Sequence, residues 1–274
     1  MLLFGLGTHQ LTGGDLVHRV LEAALAANYR LIDTASVYRN ETDIGTSLQK
    51  LYPQLNLNRS DIFITTKLGP KDQGYDKAYR ACLKSIEKLQ CEYLDLYLIH
   101  WPGRQKLKHD DEQNRSYRKE SWRAMERLYK EGKVKSIGVS NYTIRHLEEL
   151  LSHAEIPPSV LQVEFHPYYR QQELLDWCKE HNIRMQAYTS LGKGKLLLDP
   201  VVIQIAKKHG KKPSQVLLKW AVQQGIGVIP KSTNPEHIQD NSAIFDFELC
   251  SQDMDMLNGL HSNTKYCWDP SDIA

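Results

Sequence analysis

Apolar positions recur along the chain in two alternating patterns. Short aliphatic or β-branched runs over residues 4–8, 31–35, 62–68, 94–101, 134–141, 160–166, 184–191 and 226–232 read as strands. Between them, apolar residues fall at helical spacing over 15–27, 42–51, 75–89, 116–131, 143–152, 172–181, 201–209 and 213–224. Two more helical patterns, 235–241 and 251–260, follow the last strand. The run YLDLYLI at 93–99 is nearly continuous in apolar residues, as strands buried on both faces of a parallel sheet are. Eight strand-then-helix units in 274 residues predict an α/β protein with a (β/α)8 TIM barrel, because an open doubly wound sheet uses fewer strands. No Pro/Gly/Ser-rich linker divides the chain, so a single domain over 1–274 is expected.

Two segments depart from the alternation. Residues 103–118 (GRQKLKHDDEQNRSYR) are too polar for a helix face and follow the fourth strand, which predicts a long loop at the barrel mouth. The tail 261–274 holds Tyr266 and Trp268 and a turn signal at Asp269-Pro270, so it is expected to fold over a surface.

Composition adds mainly exclusions. The chain is 41% hydrophobic and 25% charged, average for a globular protein. Lys and Arg number 35 against 33 Asp and Glu, a formal +2 at pH 7, which offers no general attraction for nucleic acid or an anionic membrane. The five cysteines are scattered without metal-ligand spacing, so reduced thiols in a cytoplasmic protein and no metal site are expected.

In such a barrel, chemistry belongs at the carboxyl ends of the strands. Reading those ends gives Asp33, Lys67, His100, Ser140 and Asn141, Gln162 and Glu164, Tyr188, and Lys231. A buried carboxylate and a buried ammonium each need a partner, and Asp33 and Lys67 can serve one another. Taken singly, they could be only a structural ion pair, and His100 a core histidine. Tyr38, five residues past Asp33, changes the reading, because a lysine ammonium beside a phenol stabilises the phenolate and makes the phenol a usable general acid.

These residues resemble the catalytic tetrad of the aldo-keto reductases. IDTASVYRNETDIG holds Asp33 and Tyr38, TTKL holds Lys67, and LDLYLIHWP holds His100, at intervals of 5, 29 and 33 residues. GKVKSIGVSN, LQVEFHPY, AYTSLG and IPKSTNPEHIQDN follow in the family's order. The resemblance implies hydride transfer from a reduced nicotinamide to an aldehyde or ketone. It makes Tyr38 the proton donor, Lys67 and Asp33 its support, and His100 the residue orienting the carbonyl. His9, Val37, His100 and Trp101 would line the substrate pocket. His9 and Gly69 stand where aromatic residues are frequent, implying a wider, more polar pocket. The family's barrels are plugged at the bottom by an N-terminal hairpin, and none is expected here, since residues 4–8 already read as a strand.

No GxGxxG motif opens a helix after a strand, so a Rossmann site is not expected. The resemblance instead lays the cofactor across the strand ends. Asp33, Ser140, Asn141 and Gln162 would face the nicotinamide, Tyr188 would stack on it, and Thr189 and Leu191 would lie alongside. Lys231, Ser232 and Thr233 lead into a helix start capped by Asn234 with Pro235 behind it, a natural anion site. By resemblance this is the 2′-phosphate site of NADPH, with Asp240 and Asn241 facing the adenine. His237 replaces a common arginine and makes no bidentate contact, so NADPH preference should weaken and NADH use becomes possible. The loop at 191–199 is short, implying fast cofactor exchange.

The expected partner is a small-molecule carbonyl, with no nucleic acid or membrane, and the family suggests a monomer. Two other readings stay open. One is a cofactor-binding regulatory or structural protein of this fold with little turnover. The other is a barrel isomerase or aldolase using Lys67 as a Schiff-base nucleophile.

Overall fold

The eight predicted strands all form in the computed structural model, which describes residues 2–274. They are β1 (Leu6–Gly7), β2 (Leu31–Asp33), β3 (Phe63–Leu68), β4 (Leu96–Ile99), β5 (Ile137–Ser140), β6 (Val160–Glu164), β7 (Arg184–Tyr188) and β8 (Gly227–Val228). Each pairs in parallel with its sequence neighbour, so the sheet order is the chain order. The ends also meet. Gly5 N–H donates to the Val228 carbonyl at 2.9 Å, Val228 N–H to Leu3 at 2.8 Å, and Gly7 N–H to Pro230 at 3.1 Å. The sheet thereby closes into the expected single-domain (β/α)8 barrel and leaves no open edge. Gly7 permits the close approach at the seam, since a Cβ there would fall 2.5 Å from the Ile229 carbonyl oxygen.

The helices wrap this sheet: α1 (Gly14–Ala26), α2 (Glu41–Gln54), α3 (Tyr75–Lys88), α4 (Gln113–Lys130), α5 (Ile144–Leu151), α6 (Gln172–Glu180), α7 (Pro200–His209), α8 (Pro213–Val222), α9 (Pro235–Ser242) and α10 (Ser251–Asn258). Local chemistry sets their ends. At α7 the Asp199 side chain accepts the N–H groups of Val201 and Val202 at 2.8 and 3.2 Å, Pro200 occupies the first turn, and Gly210 closes the helix with φ +60°. Apolar faces of helices and strands merge in one core that includes Trp122, Trp220 and Phe165, the last two stacked 4.9 Å apart.

Three details differ from expectation. The strands are shorter than their apolar runs, because residues flanking them face the core from turns. Residues 103–118 are only partly a loop, since α4 begins at Gln113. That helix turn buries polar groups against polar partners, which hydropathy cannot see. Asn114 accepts Arg104 N–H at 2.9 Å and donates to the Lys108 carbonyl at 2.9 Å, and buried Arg118 makes a two-pronged contact with Glu149 at 3.1 and 2.6 Å. The 191–199 segment is wound into 3-10 turns over Gly192–Leu198 that bury Leu196. Among the described residues no hairpin precedes β1, and no helix is long and apolar enough to cross a membrane.

Candidate active site

Side chains alternate between faces along a strand, so Thr65 and Lys67 of β3 share one face. Lys67 is fully buried, and its ammonium donates to Asp33 Oδ1 at 2.5 Å and to the Thr34 carbonyl at 2.9 Å. Burial alone would drive off the Lys67 proton, but the charges of Asp33 and Tyr38 outweigh it and hold the group above its ordinary pKa. The remaining Asp33 oxygen, Oδ2, accepts Gln162 Nε2 at 2.7 Å, and Gln162 also donates to Gln186 Oε1 at 2.7 Å. This last contact crosses β6 and β7 at paired positions of the register.

Tyr38 stands on a short 3-10 turn after β2. The loop is tied down by buried Asn40, which accepts Thr34 Oγ1–H at 2.7 Å and donates to the Thr8 and Leu11 carbonyls at 2.9 and 3.1 Å. The Lys67 ammonium lies 5.1 Å from the Tyr38 ring centre. Two imidazoles flank the phenol, His9 at 4.9 Å and His100 at 5.6 Å between ring centres. Burial raises the Tyr38 pKa and Lys67 opposes this, and the net direction is upward. The sequence-based expectation of a lowered phenol pKa is therefore corrected: burial outweighs the nearby ammonium.

His100 is neutral at ordinary pH, because burial and then the Lys67 and His9 charges hold its pKa well below the usual histidine value. Its Nδ1 is buried without a partner. Burial and the charges of Lys67, Lys231 and Lys193 lower His9 as well. Trp101 follows His100, with the two rings stacked 6.2 Å apart.

Asn141 ties the ends of three strands together. Its Nδ2 donates to the His100 carbonyl at 2.9 Å and to Ser140 Oγ at 3.0 Å, and its Oδ1 accepts the Tyr188 hydroxyl at 2.6 Å. The Ser140 hydroxyl in turn donates to the Gln162 carbonyl at 2.8 Å. Asn141 at φ +63° and Thr189 at φ +54° are both left-handed, a strained conformation for β-branched Thr189. Further along the mouth, Leu191 is partly buried, while Lys231, Thr233 and His237 are exposed and Ser232 is partly so. Asn234 Oδ1 caps α9 by accepting Glu236 N–H at 2.9 Å. The half-buried Asp240 carboxylate pairs with Lys212. Asn241 is buried, and its Oδ1 has no partner.

The tail closes one side. Glu164, buried on β6, accepts the N–H groups of Tyr266 and Cys267 at 2.7 and 2.9 Å and His166 Nε2–H at 3.0 Å. Burial opposes its charge, but these donors outweigh it and keep its pKa low. Beyond this latch, Trp268 stands edge-on to Trp101 at 4.7 Å, and His146 Nε2 meets the Ile273 carbonyl at 2.9 Å. Exposed Val37 and half-buried Trp101 line a cavity of about 570 Å³ that the tail and the 102–112 loop complete. Sequence reasoning missed Gln186 and the latching role of Glu164. A polar side chain inside an otherwise apolar strand was the available signal for both, Glu164 in VLQVE and Gln186 in RMQAY. All five cysteines are unpaired, and among the described residues no cluster of His, Cys, Asp or Glu is arranged to hold a metal.

Comparison with known proteins fits this geometry. The profile of the Aldo/keto reductase family matches residues 4–262. The chain is 44% identical over 270 residues to the glyoxal reductase of Bacillus subtilis, covering 98% of this chain and 92% of that one. It superposes with a TM-score of 0.91 on MGS-M4, an aldo-keto reductase from a Medee basin deep-sea metagenome library, at 39% identity over 100% of this chain and 96% of the other. A Gox0644 variant solved in complex with NADPH gives a TM-score of 0.89 at 37% identity, covering 98% and 93% of the two chains. From its closed barrel, its strand-end polar set and these likenesses, the chain belongs to the aldo/keto reductase family.

Proposed function

We propose that this protein reduces aldehydes and ketones to alcohols with a reduced nicotinamide, NADPH in preference to NADH, and that Tyr38 is the general acid. The observation that carries the reading is the convergence of Tyr38, His100 and the buried Lys67–Asp33 pair on one mouth.

The residues present fit the cofactor. Asn241 Oδ1, a buried acceptor without a partner, suits the exocyclic amine of an adenine. The exposed Lys231, Thr233 and His237 beside the N-terminus of α9 suit a phosphate. Asp33, Ser140, Asn141 and Gln162 would hold the nicotinamide end, with Tyr188 as its platform and Thr189 and Leu191 along its edge. When bound, the reduced nicotinamide supplies the hydride.

The chain's own groups manage the proton and the charge. Tyr38 stays protonated at neutral pH and so keeps a proton to give to the carbonyl oxygen as negative charge develops there. The Lys67 ammonium, locked by Asp33, stabilises the phenolate left behind. Neutral His100 with its proton on Nε2 donates to the same oxygen and fixes the face presented. The hydroxyl of Tyr188 is engaged by Asn141, which holds its ring rigid.

A Schiff base at Lys67 is disfavoured, since its nitrogen is a fully buried ammonium held by Asp33 and the Thr34 carbonyl. The regulatory alternative retains cofactor binding without turnover. Five free cysteines support a cytoplasmic setting, and a monomer is the proposed state. Following loss of NADPH absorbance with small dicarbonyls and aromatic aldehydes tests the reading. Turnover is expected with NADPH and more weakly with NADH. Cofactor binding without turnover of any carbonyl would replace it with the regulatory reading.

A further inference from the structure

The cavity beside the tetrad has two unlike walls. Trp101, Trp268 and Val37 form an aromatic and aliphatic wall, and Arg104, Lys106 and Lys108 form the other, with no carboxylate among the lining residues. Among the acids of the flanking segments, Glu112 pairs with Arg115, Glu149 with Arg115 and Arg118, and the Asp111 carboxylate accepts Gln113 N–H, while Asp72, Asp110 and Asp272 lie outside the lining. Arg104 is held in place, its guanidinium 4.1 Å over the Tyr117 ring and its backbone N–H on Asn114 Oδ1. Because Val37 precedes Tyr38 and Trp101 follows His100, the cavity lies immediately beside the reacting centre.

We infer that this cavity is a subsite for a carboxylate on the substrate, so that the enzyme selects carbonyl compounds carrying a carboxylate several atoms from the reacting carbon. The inference rests on the reductase reading and names its substrate class. A planar or aliphatic spacer would lie against Trp101 and Trp268, and the carboxylate would meet the exposed Lys106 and Lys108, with no acidic side chain in the lining. Such charge complementarity selects among substrates more than it adds raw affinity.

The test compares 4-carboxybenzaldehyde with its methyl ester, which keeps shape and removes charge. The acid is expected to be preferred about tenfold in kcat/KM, through KM, since each exposed charge contact contributes a small factor. In K106Q/K108Q, and in the wild type at high salt, the acid-to-ester ratio should fall toward unity. An acid-to-ester ratio near unity in the wild type, or a ratio unmoved in the double variant, would overturn the inference while leaving the reductase reading intact. Preference for 4-formylphenyl phosphate over the acid would overturn the carboxylate assignment. Quenching of tryptophan fluorescence by 4-carboxybenzyl alcohol gives a readout independent of turnover, because Trp101 and Trp268 line the cavity. Quenching weakened in the double variant, with no carbonyl reduced, would sustain the subsite and overturn the reductase reading.

Discussion

The floor and the rim of this mouth are built by opposite rules. On the floor, Asp33, Lys67, Gln162 and Asn141 are buried, and each is fixed by at least two hydrogen bonds to neighbouring strands. On the rim, Lys106, Lys108, Lys231 and His237 are exposed, and the tail is held by a few discrete latches. A buried charge is costly unless paired, so the floor tolerates little change. An exposed charge contributes little to folding, so the rim is free to specify ligands. Chemistry should therefore reside in the floor and selectivity in the rim.

The most damaging way to break this division is Lys67→Met, which leaves Asp33 buried without its cation. Turnover should vanish and stability should fall by about 3–5 kcal/mol, measured by denaturant unfolding. Pairing it with Asp33→Asn should restore much of the stability and none of the activity, separating the ion pair's structural role from its chemical one.

The tail sharpens the comparison through pH. His146 Nδ1 accepts from Thr143 N–H, and Nε2–H donates to the Ile273 carbonyl, so only the neutral ring fits. Burial, with opposition from that carbonyl, lowers its pKa to about 4. The unfolded chain takes up a proton near pH 6.5 that the folded chain refuses. Stability should therefore fall as pH drops from about 6.5 to about 4 and then level off, by up to roughly 3 kcal/mol from this residue. His100 contributes with the same sign. His146→Gln should flatten part of the slope in unfolding curves taken across that range.

A smaller effect is expected at the Glu164 latch. Glu164→Gln sets an amide N–H against the donors of the tail and costs about 1–3 kcal/mol. Its kinetic mark should be a raised KM for bulky carbonyls that reach Trp268, with kcat for small aldehydes retained. The mildest change lies at the cofactor rim, where His237→Arg should raise the NADPH-to-NADH preference about five- to tenfold, roughly 1 kcal/mol. Dissociation constants for the two cofactors would check it.

Much of the floor was legible because its residues interrupt apolar strands: Asp33, Lys67, His100 and Gln162 each stand out as a polar residue where the pattern calls for an aliphatic one. The barrel was legible for the same reason, through eight periodic alternations. The start of α4 was not, because Asn114 and Arg118 pack a helix by polar complementarity and leave no hydrophobic stripe. Nor was the direction of the Tyr38 shift, which depends on how far burial outweighs Lys67 and hence on three-dimensional enclosure. The fate of Asp240 was equally hidden, since its partner Lys212 lies 28 positions away.

The most direct test of the division between floor and rim is a single turnover of enzyme-bound NADPH with an aldehyde, in the wild type and in Tyr38→Phe, with cofactor affinity measured on both. Loss of the phenolic proton should slow hydride transfer by about 10²- to 10⁴-fold while NADPH binds as tightly as before. Equal rates in the two proteins would contradict the account, because the proton would then come from a group other than Tyr38.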